Sequence, residues 1–369
     1  MKRKTAALYD PYLDTIGGGE KHILQILQVL ADDGYEINIF WDKNITAQLF
    51  KKFSLQLFKK LKYLPYIFRD NGAFHSFKTF ETLKHFDYFF YVTDGSYFFS
   101  GAKKNFVFCM VPRKNLYPNN IIDKLKTWNY RFISNSRYTQ KWLGKWGIKS
   151  DYIYPYINNE LIDDPSPNKE KIILSVGRFF PQLHSKQHEK IIAVFNKMQR
   201  SHQNFKDYKL ILAGGLKDED KDYFRQIKNL TQKNPSIILK PDISLDELYE
   251  LYKLATFFWH FTGYGVDEKA HPELVEHLGI TPLEAMAAGA ITFCYNAGGP
   301  KEIVTDGQNG YLFNNENELQ TKMMAVLEDQ NKQKTIRDNA NNFIRQNFSY
   351  EVFKQRVNEL ILCHAGTKR

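Results

Sequence analysis

The sequence predicts an α/β protein of two domains, each built on a parallel sheet in the Rossmann manner. Three observations lead there. A strand-like run at residues 5–9 is followed by a glycine turn, a helical pattern (Ile23, Ile26, Leu27, Leu30) and a second strand at residues 36–41. Such a unit closes right-handed and leaves its strands parallel. The same chemistry restarts with a β-branched run at residues 171–176, and a polar, proline-bearing stretch without periodicity, residues 163–168, precedes it as a linker. At 369 residues the chain is long enough for two cores. Domains of 1–160 and 161–345 are therefore expected, with a last helical segment at 346–369.

Composition narrows the class. A hydrophobic content of 43% with 25% charged residues describes a globular chain, neither disordered nor fibrous. Cys109, Cys294 and Cys363 stand far apart in apolar or helical contexts without metal-ligand spacing, so a reduced, cytosolic protein is expected. The N-terminus passes into a strand with no signal-peptide core. No apolar run approaches the ~18 residues of a membrane span.

The charge is lopsided. Residues 1–160 hold 24 Lys+Arg against 14 Asp+Glu, and residues 161–369 hold 27 of each, so the net +10 belongs to the first half. Between Asp42 and Asp70 seven basic residues and no acidic one alternate with Phe50, Phe53, Leu57, Phe58, Tyr63 and Tyr66. Two readings stay open: an amphipathic segment on an anionic membrane face, or a basic helix packing its aromatics into the domain core. No nucleic-acid partner is expected, because no nucleic-acid motif accompanies the charge.

In the first domain, Gly17, Gly18 and Gly19 form a turn that lets backbone approach a ligand. The six-position glycine spacing of a dinucleotide site is absent. Residues 87–93 and 105–111 are short apolar runs suited to buried strands, and Pro112 ends the second. Ser136 or Asn135 can cap the helix that follows the strand at 132–134.

The second domain places Gly177 and Arg178 after its first strand, with Lys186 and Lys190 a few residues on. Further strands follow at 208–213, 237–239 and 257–261, and Asp242 and Ile243 precede a helical pattern through Tyr252. Thr281, Pro282 and Glu284 then spell an N-cap, a first helical position and the N3 glutamate of a capping box, so a helix is expected to start at Pro282. Anions favour that end of a helix, where unpaired amides and the macrodipole converge. A diphosphate fits beside Gly279, Ile280, Thr281, Pro282 and Leu283. The carboxylates of Glu276 and Glu284 can accept hydrogen bonds from sugar and ribose hydroxyls.

Glu276 and Glu284, with seven residues between them, run into Ala285-Met286-Ala287-Ala288-Gly289 and then Gly298-Gly299-Pro300-Lys301-Glu302. This pattern resembles the C-terminal signature of family 4 retaining glycosyltransferases. The longer context, Trp259-His260-Phe261 through His271-Pro272-Glu273, is most similar to dolichol-pathway mannosyltransferases that act on lipid-linked oligosaccharide, and to their bacterial relatives.

The resemblance implies the GT-B fold, two Rossmann-like domains facing across a cleft, with the last helix crossing back to brace the first. It implies a hexosyltransferase that needs no metal or cofactor. The donor would be a nucleotide diphosphate sugar, the acceptor a hydroxyl of a saccharide or lipid-linked saccharide, and the anomeric configuration would be retained. Arg178 and Lys186, with Lys190 as rival to the latter, would stabilise the departing diphosphate. Glu276 would hold the sugar, Glu284 the ribose, and the backbone of Asp242 and Ile243 would face the base. Gly17, Gly18 and Gly19 would pass near the donor.

One position departs from the pattern: Met110 stands where many relatives carry a histidine two residues before the proline. Arg113 and Lys114 beyond it are read first as exposed surface charges, with contact to an acceptor phosphate as the alternative. A nucleotide-sugar epimerase or hydrolase, and a non-catalytic nucleotide-sugar binder, are the competing expectations. Location at the cytoplasmic membrane face completes the reading.

Overall fold

A computed structural model describes residues 3–53, 55–59, 61–68, 73–166, 168–182 and 185–362, without the side chains of 73–75. The chain forms two compact units, Met1–Tyr156 together with Phe353–Arg369, and Ile157–Val352. Each is a parallel α/β sheet, the Rossmann-like architecture expected.

The first unit has seven strands: β1 (Thr5–Tyr9), β2 (Glu36–Phe40), β3 (Leu61–Leu64), β4 (Tyr88–Val92), β5 (Lys104–Cys109), β6 (Tyr130–Ser134) and β7 (Ser150–Tyr152). Their order is β3-β2-β1-β4-β5-β6-β7 and every pairing is parallel. β4 is buried along its whole length, as befits a central strand covered on both faces. Helix Gly18–Asp32 covers the sheet with Ile23, Ile26, Leu27 and Leu30, all fully buried.

Part of the basic stretch between Asp42 and Asp70 packs on this sheet, as the second of its two readings has it. Helix Thr46–Phe53 buries Leu49, and Leu55, Leu57 and Phe58 also go inside. Residues 61–64 then pair with β2 as an edge strand. The alternation of lysines and aromatics thus covers a packed interior in part, while Phe50 stays half exposed. Arg69 and Asp70 lie outside the described residues.

The second unit has six parallel strands: β8 (Glu170–Val176), β9 (Lys209–Gly214), β10 (Ile237–Pro241), β11 (Ala255–His260), β12 (Ile291–Tyr295) and β13 (Tyr311–Phe313). Their order is β10-β9-β8-β11-β12-β13. Strand order reverses between β8 and β11, so the loops leaving those two strands diverge and open a crevice at their carboxyl ends. Trp259, Phe195, Phe205, Phe257 and Phe293 fill the core on one side of the sheet.

The chain passes between units at Tyr156 and Ile157, earlier than the expected linker. Residues 163–168 belong wholly to the second unit: Asn159–Asp163 is helical, and Asn341 Nδ2 donates to Ile162 O at 3.0 Å. Ile157 N donates to Phe348 O at 2.8 Å, tying the entry point to helix Gln330–Phe348. From Phe353 the chain rejoins the first unit, where Arg131 Nη1 donates to Leu360 O at 2.9 Å. Among the described residues no helix is long and apolar enough to cross a membrane.

Candidate functional site

The reversal between β8 and β11 is where the second unit gathers its charged side chains. β8 ends in Gly177 and Arg178. A Cβ on Gly177 would lie 2.4 Å from Lys186 Cγ, so the missing side chain is what lets the lysine stem cross the strand end. Lys186 Nζ donates to Glu276 Oε2 at 2.8 Å, and the two side chains are only 15% and 18% exposed. His260, the last residue of β11, places Nε2 3.0 Å from the same oxygen, off the direction of a well-formed hydrogen bond.

These three groups set one another's charge. Burial opposes ionisation of Glu276, but the Lys186 ammonium, reinforced by His260, outweighs it and holds the carboxyl well below the usual glutamate range. Burial, with Lys186 beside it, pushes the His260 imidazole down against the pull of Glu276. Both directions favour a carboxylate at Glu276 and a neutral imidazole at His260.

Lys190 goes elsewhere. It pairs with Glu316 at 2.9 Å and lies over the Tyr264 ring, so of the two candidate lysines Lys186 is the one that joins Glu276.

Arg178 rests its guanidinium 4.4 Å from the centre of the Phe180 ring. Gly215 abuts its stem and the Asp242 carboxylate: a Cβ there would lie 3.7 Å from Arg178 Cγ and 3.9 Å from Asp242 Oδ1. Asp242 sits in the left-handed region and its Oδ1 accepts from Leu216 N at 3.0 Å, which fixes the turn leaving β10. Ile243 follows, half-buried, before Ser244 caps helix Leu245–Leu254 by accepting from Glu247 N.

The helix expected to start at Pro282 starts two residues sooner. It spans Ile280–Ala287, with Gly279 as N-cap at φ 100°. A glycine in that conformation turns the chain straight into the helix and carries Thr281 past the cap, so the Thr281/Glu284 capping box does not form. Glu284 is buried and accepts from Tyr252 Oη at 3.0 Å instead.

The amide set facing an anion is correspondingly narrower than expected. Pro282 has no N–H, and Leu283 N donates to Gly279 O at 3.2 Å. Ile280 and Thr281 occupy the first turn, where a helix supplies no acceptor of its own. The loop before the helix is pinned from behind: Gly299 N donates to Glu276 O at 2.7 Å, and a Cβ on Gly299 would lie 2.3 Å from Leu278 Cα.

Gly17, Gly18 and Gly19 lie in the first unit, at the carboxyl end of β1. Gly17 N donates to Glu20 Oε2 at 2.7 Å, and Gly18 opens the helix. A Cβ on Gly19 would meet Met110 Sδ at 2.1 Å, so the methionine packs its thioether directly on this glycine. Asp10 beneath the turn is fully buried; burial, then the charge of Glu20, pushes its carboxyl up.

His260 and Tyr252 were not singled out as site residues from the sequence. A signal existed for His260, a titratable group closing the apolar run at residues 255–260 at the end where open α/β sheets bind ligands. Tyr252 looked like one more apolar position of its helix. A groove of about 790 Å³ bordered by Lys169, Tyr208 and Arg337 opens at the other ends of these strands, away from this chemistry. Among the described residues no group of three or more His, Cys, Asp or Glu could hold a metal ion.

The family profile described as Glycosyl transferases group 1 matches residues 158–343, half of the chain. The chain is 30% identical over 196 residues to the GDP-Man:Man(3)GlcNAc(2)-PP-Dol alpha-1,2-mannosyltransferase of Dictyostelium discoideum, a match covering 50% of this chain and 37% of that protein. The Mus musculus protein of the same name is 30% identical over 201 residues, 50% of this chain and 38% of its own. These matches span well under half the length of either relative. A crystal structure of Anabaena HepE in complex with UDP and glucose superposes with a TM-score of 0.71 at 15% identity, covering 98% of this chain and 100% of that one. That likeness concerns the fold, which is of the GT-B class.

Proposed function

The chain belongs to the glycosyl transferases group 1 family, and from that premise we propose that it is a glycosyltransferase that moves a hexose from a nucleotide diphosphate sugar to a lipid-linked saccharide, with retention and without a metal. The observation that carries the chemistry is the Lys186–Glu276 pair at the reversal between β8 and β11. An ammonium has three donors. One is committed to Glu276, and the others are available to a phosphate oxygen.

In this reading Arg178, Lys186 and the amides of Ile280 and Thr281 neutralise the charge that develops on the departing diphosphate, which is the service a leaving group of this kind needs. Glu276, held ionised, accepts hydrogen bonds from hydroxyls of the transferred sugar. Glu284 accepts from the ribose, and the turn at Asp242 and Ile243 faces the base. The bond from the anomeric carbon to the diphosphate oxygen breaks as the acceptor oxygen attacks the same face. The acceptor proton passes to the leaving diphosphate, so no carboxylate has to act as base.

The mannosyltransferase relatives support GDP-mannose as the first donor to try. The UDP and glucose bound by HepE make UDP-glucose the natural comparison. The test is turnover with purified protein, each donor and a lipid-diphosphate saccharide acceptor. Glu276→Ala is expected to lower turnover at least a hundredfold while nucleotide diphosphate still raises the melting temperature. An unchanged rate removes Glu276 from the mechanism, and donor lost without any acceptor favours a hydrolase or epimerase.

A further inference from the structure

The first unit carries an apolar face that its own fold does not use. Helix Ile121–Lys126 buries none of its residues. Ile121 is 77% exposed, Ile122 65%, Leu125 58% and Trp128, just beyond the helix, 77%. Positions 121 and 125 share one helical face, 122 adjoins it, and Trp128 follows just past the C-cap Thr127. Four large apolar side chains within eight residues form a contiguous patch of the kind that marks an interaction surface rather than scattered exposure.

Charge says what kind of surface it meets. Lys124 and Lys126 lie in the same helix, Arg113 and Lys114 precede it in the chain, and among the described residues none of the four pairs with a carboxylate. Asp123, the one acidic residue from 113 to 131, is turned to local work: its amide is capped by Asn120 Oδ1 at 2.9 Å and its Oδ2 accepts from Asn120 Nδ2 at 2.7 Å. Apolar anchors interleaved with unpaired lysines match the boundary of an anionic bilayer, where the side chains enter the acyl region and the lysines meet headgroups. Tryptophan is suited to that depth because its ring is apolar and its N–H is not.

We propose that residues 121–128 dock this protein on an anionic lipid surface. The inference rests on the proposal that the acceptor is lipid-borne, and it places the membrane contact on a helix that buries none of its residues, rather than on the stretch at 42–70, where Leu49, Leu55, Leu57 and Phe58 are buried. It also gives the +10 charge of the first half a place to act.

The experiment is co-sedimentation of the full chain with vesicles of phosphatidylcholine alone or with 30% (about one lipid in three) phosphatidylglycerol, neither containing any saccharide acceptor. The wild type is expected to pellet with the anionic vesicles and to stay in solution with the neutral ones. Ile121→Ser/Leu125→Ser/Trp128→Ala should lower binding at least tenfold, and Lys124→Gln/Lys126→Gln should lower it most at low salt. Nucleotide diphosphate should stabilise both variants as it does the wild type, which separates this result from failure of the donor-site reading. The proposal is overturned if the wild type fails to pellet, or if the apolar variant binds as well as wild type. It is also overturned if the patch proves to be a self-association face, seen as a dimer in solution that the apolar variant dissolves and vesicles do not compete for.

Discussion

After burial, Lys186 is the largest influence on the charge of Glu276, and this gives the pair a pH signature. The folded Glu276 carboxyl lies well below its ordinary value of 4.5, so its contribution to stability is present above that value and is lost as pH falls through the folded one. In Lys186→Met burial would remain without its largest counterweight, and the carboxyl would move up. The variant should therefore lose about 2–3 kcal/mol at pH 7.5, somewhat less than a fully enclosed pair whose partner is removed. Below pH 4 (roughly the unfolded range of the carboxyl) the difference should shrink, because the wild type progressively loses the stabilisation of its ionised Glu276 as pH falls towards the depressed folded value, whereas the variant has none to lose. Denaturant titrations at the two pH values measure it, and an equal loss at both would mean the ion pair is not what the substitution removed. His260 adds acid lability of the same sign, since a buried neutral imidazole binds its proton more readily once unfolded. The lysine and glutamate were legible in the sequence as site residues. Their direct pairing was not, because it depends on Gly177 letting a side chain cross the strand end, a contact between positions remote in sequence.

At the scale of elements, the turn at Gly298 and Gly299 decides where Glu276 stands. Both glycines lie against backbone of the 276–278 loop, with a Cβ on Gly298 only 2.0 Å from Glu276 O. Gly298 also holds φ 65°, which ordinary side chains resist. Gly299→Ala should cost about 2 kcal/mol or more by overpacking, and should lower turnover through displacement of Glu276 while leaving Arg178 and Asp242 in place. Crystallography or nucleotide titration of the variant checks this: wild-type turnover would show that the loop holds its position without the glycine. The central strands were readable because parallel strands covered on both faces are continuous apolar runs. β3 and the three-residue β7 were missed: one is short and basic at the sheet edge, the other too brief to show periodicity. The capping box at Thr281 was spelled correctly and not used, because a left-handed Gly279 started the helix first.

For the molecule as a whole, the division into units cuts across the order of the chain. Residues from Phe353 follow the second unit in sequence and pack with the first: Phe353, Val357, Ile361 and Leu362 are buried, and the Phe353 ring lies tilted against those of Tyr156 and His22. Lys104 Nζ and Arg131 Nη1 donate to carbonyls of Ile361 and Leu360, fastening the segment beside β5 and β6. Burial of four such side chains is worth about 1.5–3 kcal/mol each, which together rivals the 5–15 kcal/mol (roughly) that holds a typical domain folded. A chain ending at Val352 should therefore lose the first unit, even though the residues adjoining the cut belong to the second. Hydrogen exchange resolves the outcome by region: amides of β1, β4 and β5 should become unprotected, while those of β8, β9 and β11 keep their protection and still respond to nucleotide diphosphate. If the loss fell on the second unit instead, these last ten described residues would be stabilising their neighbours in sequence rather than the sheet they pack on.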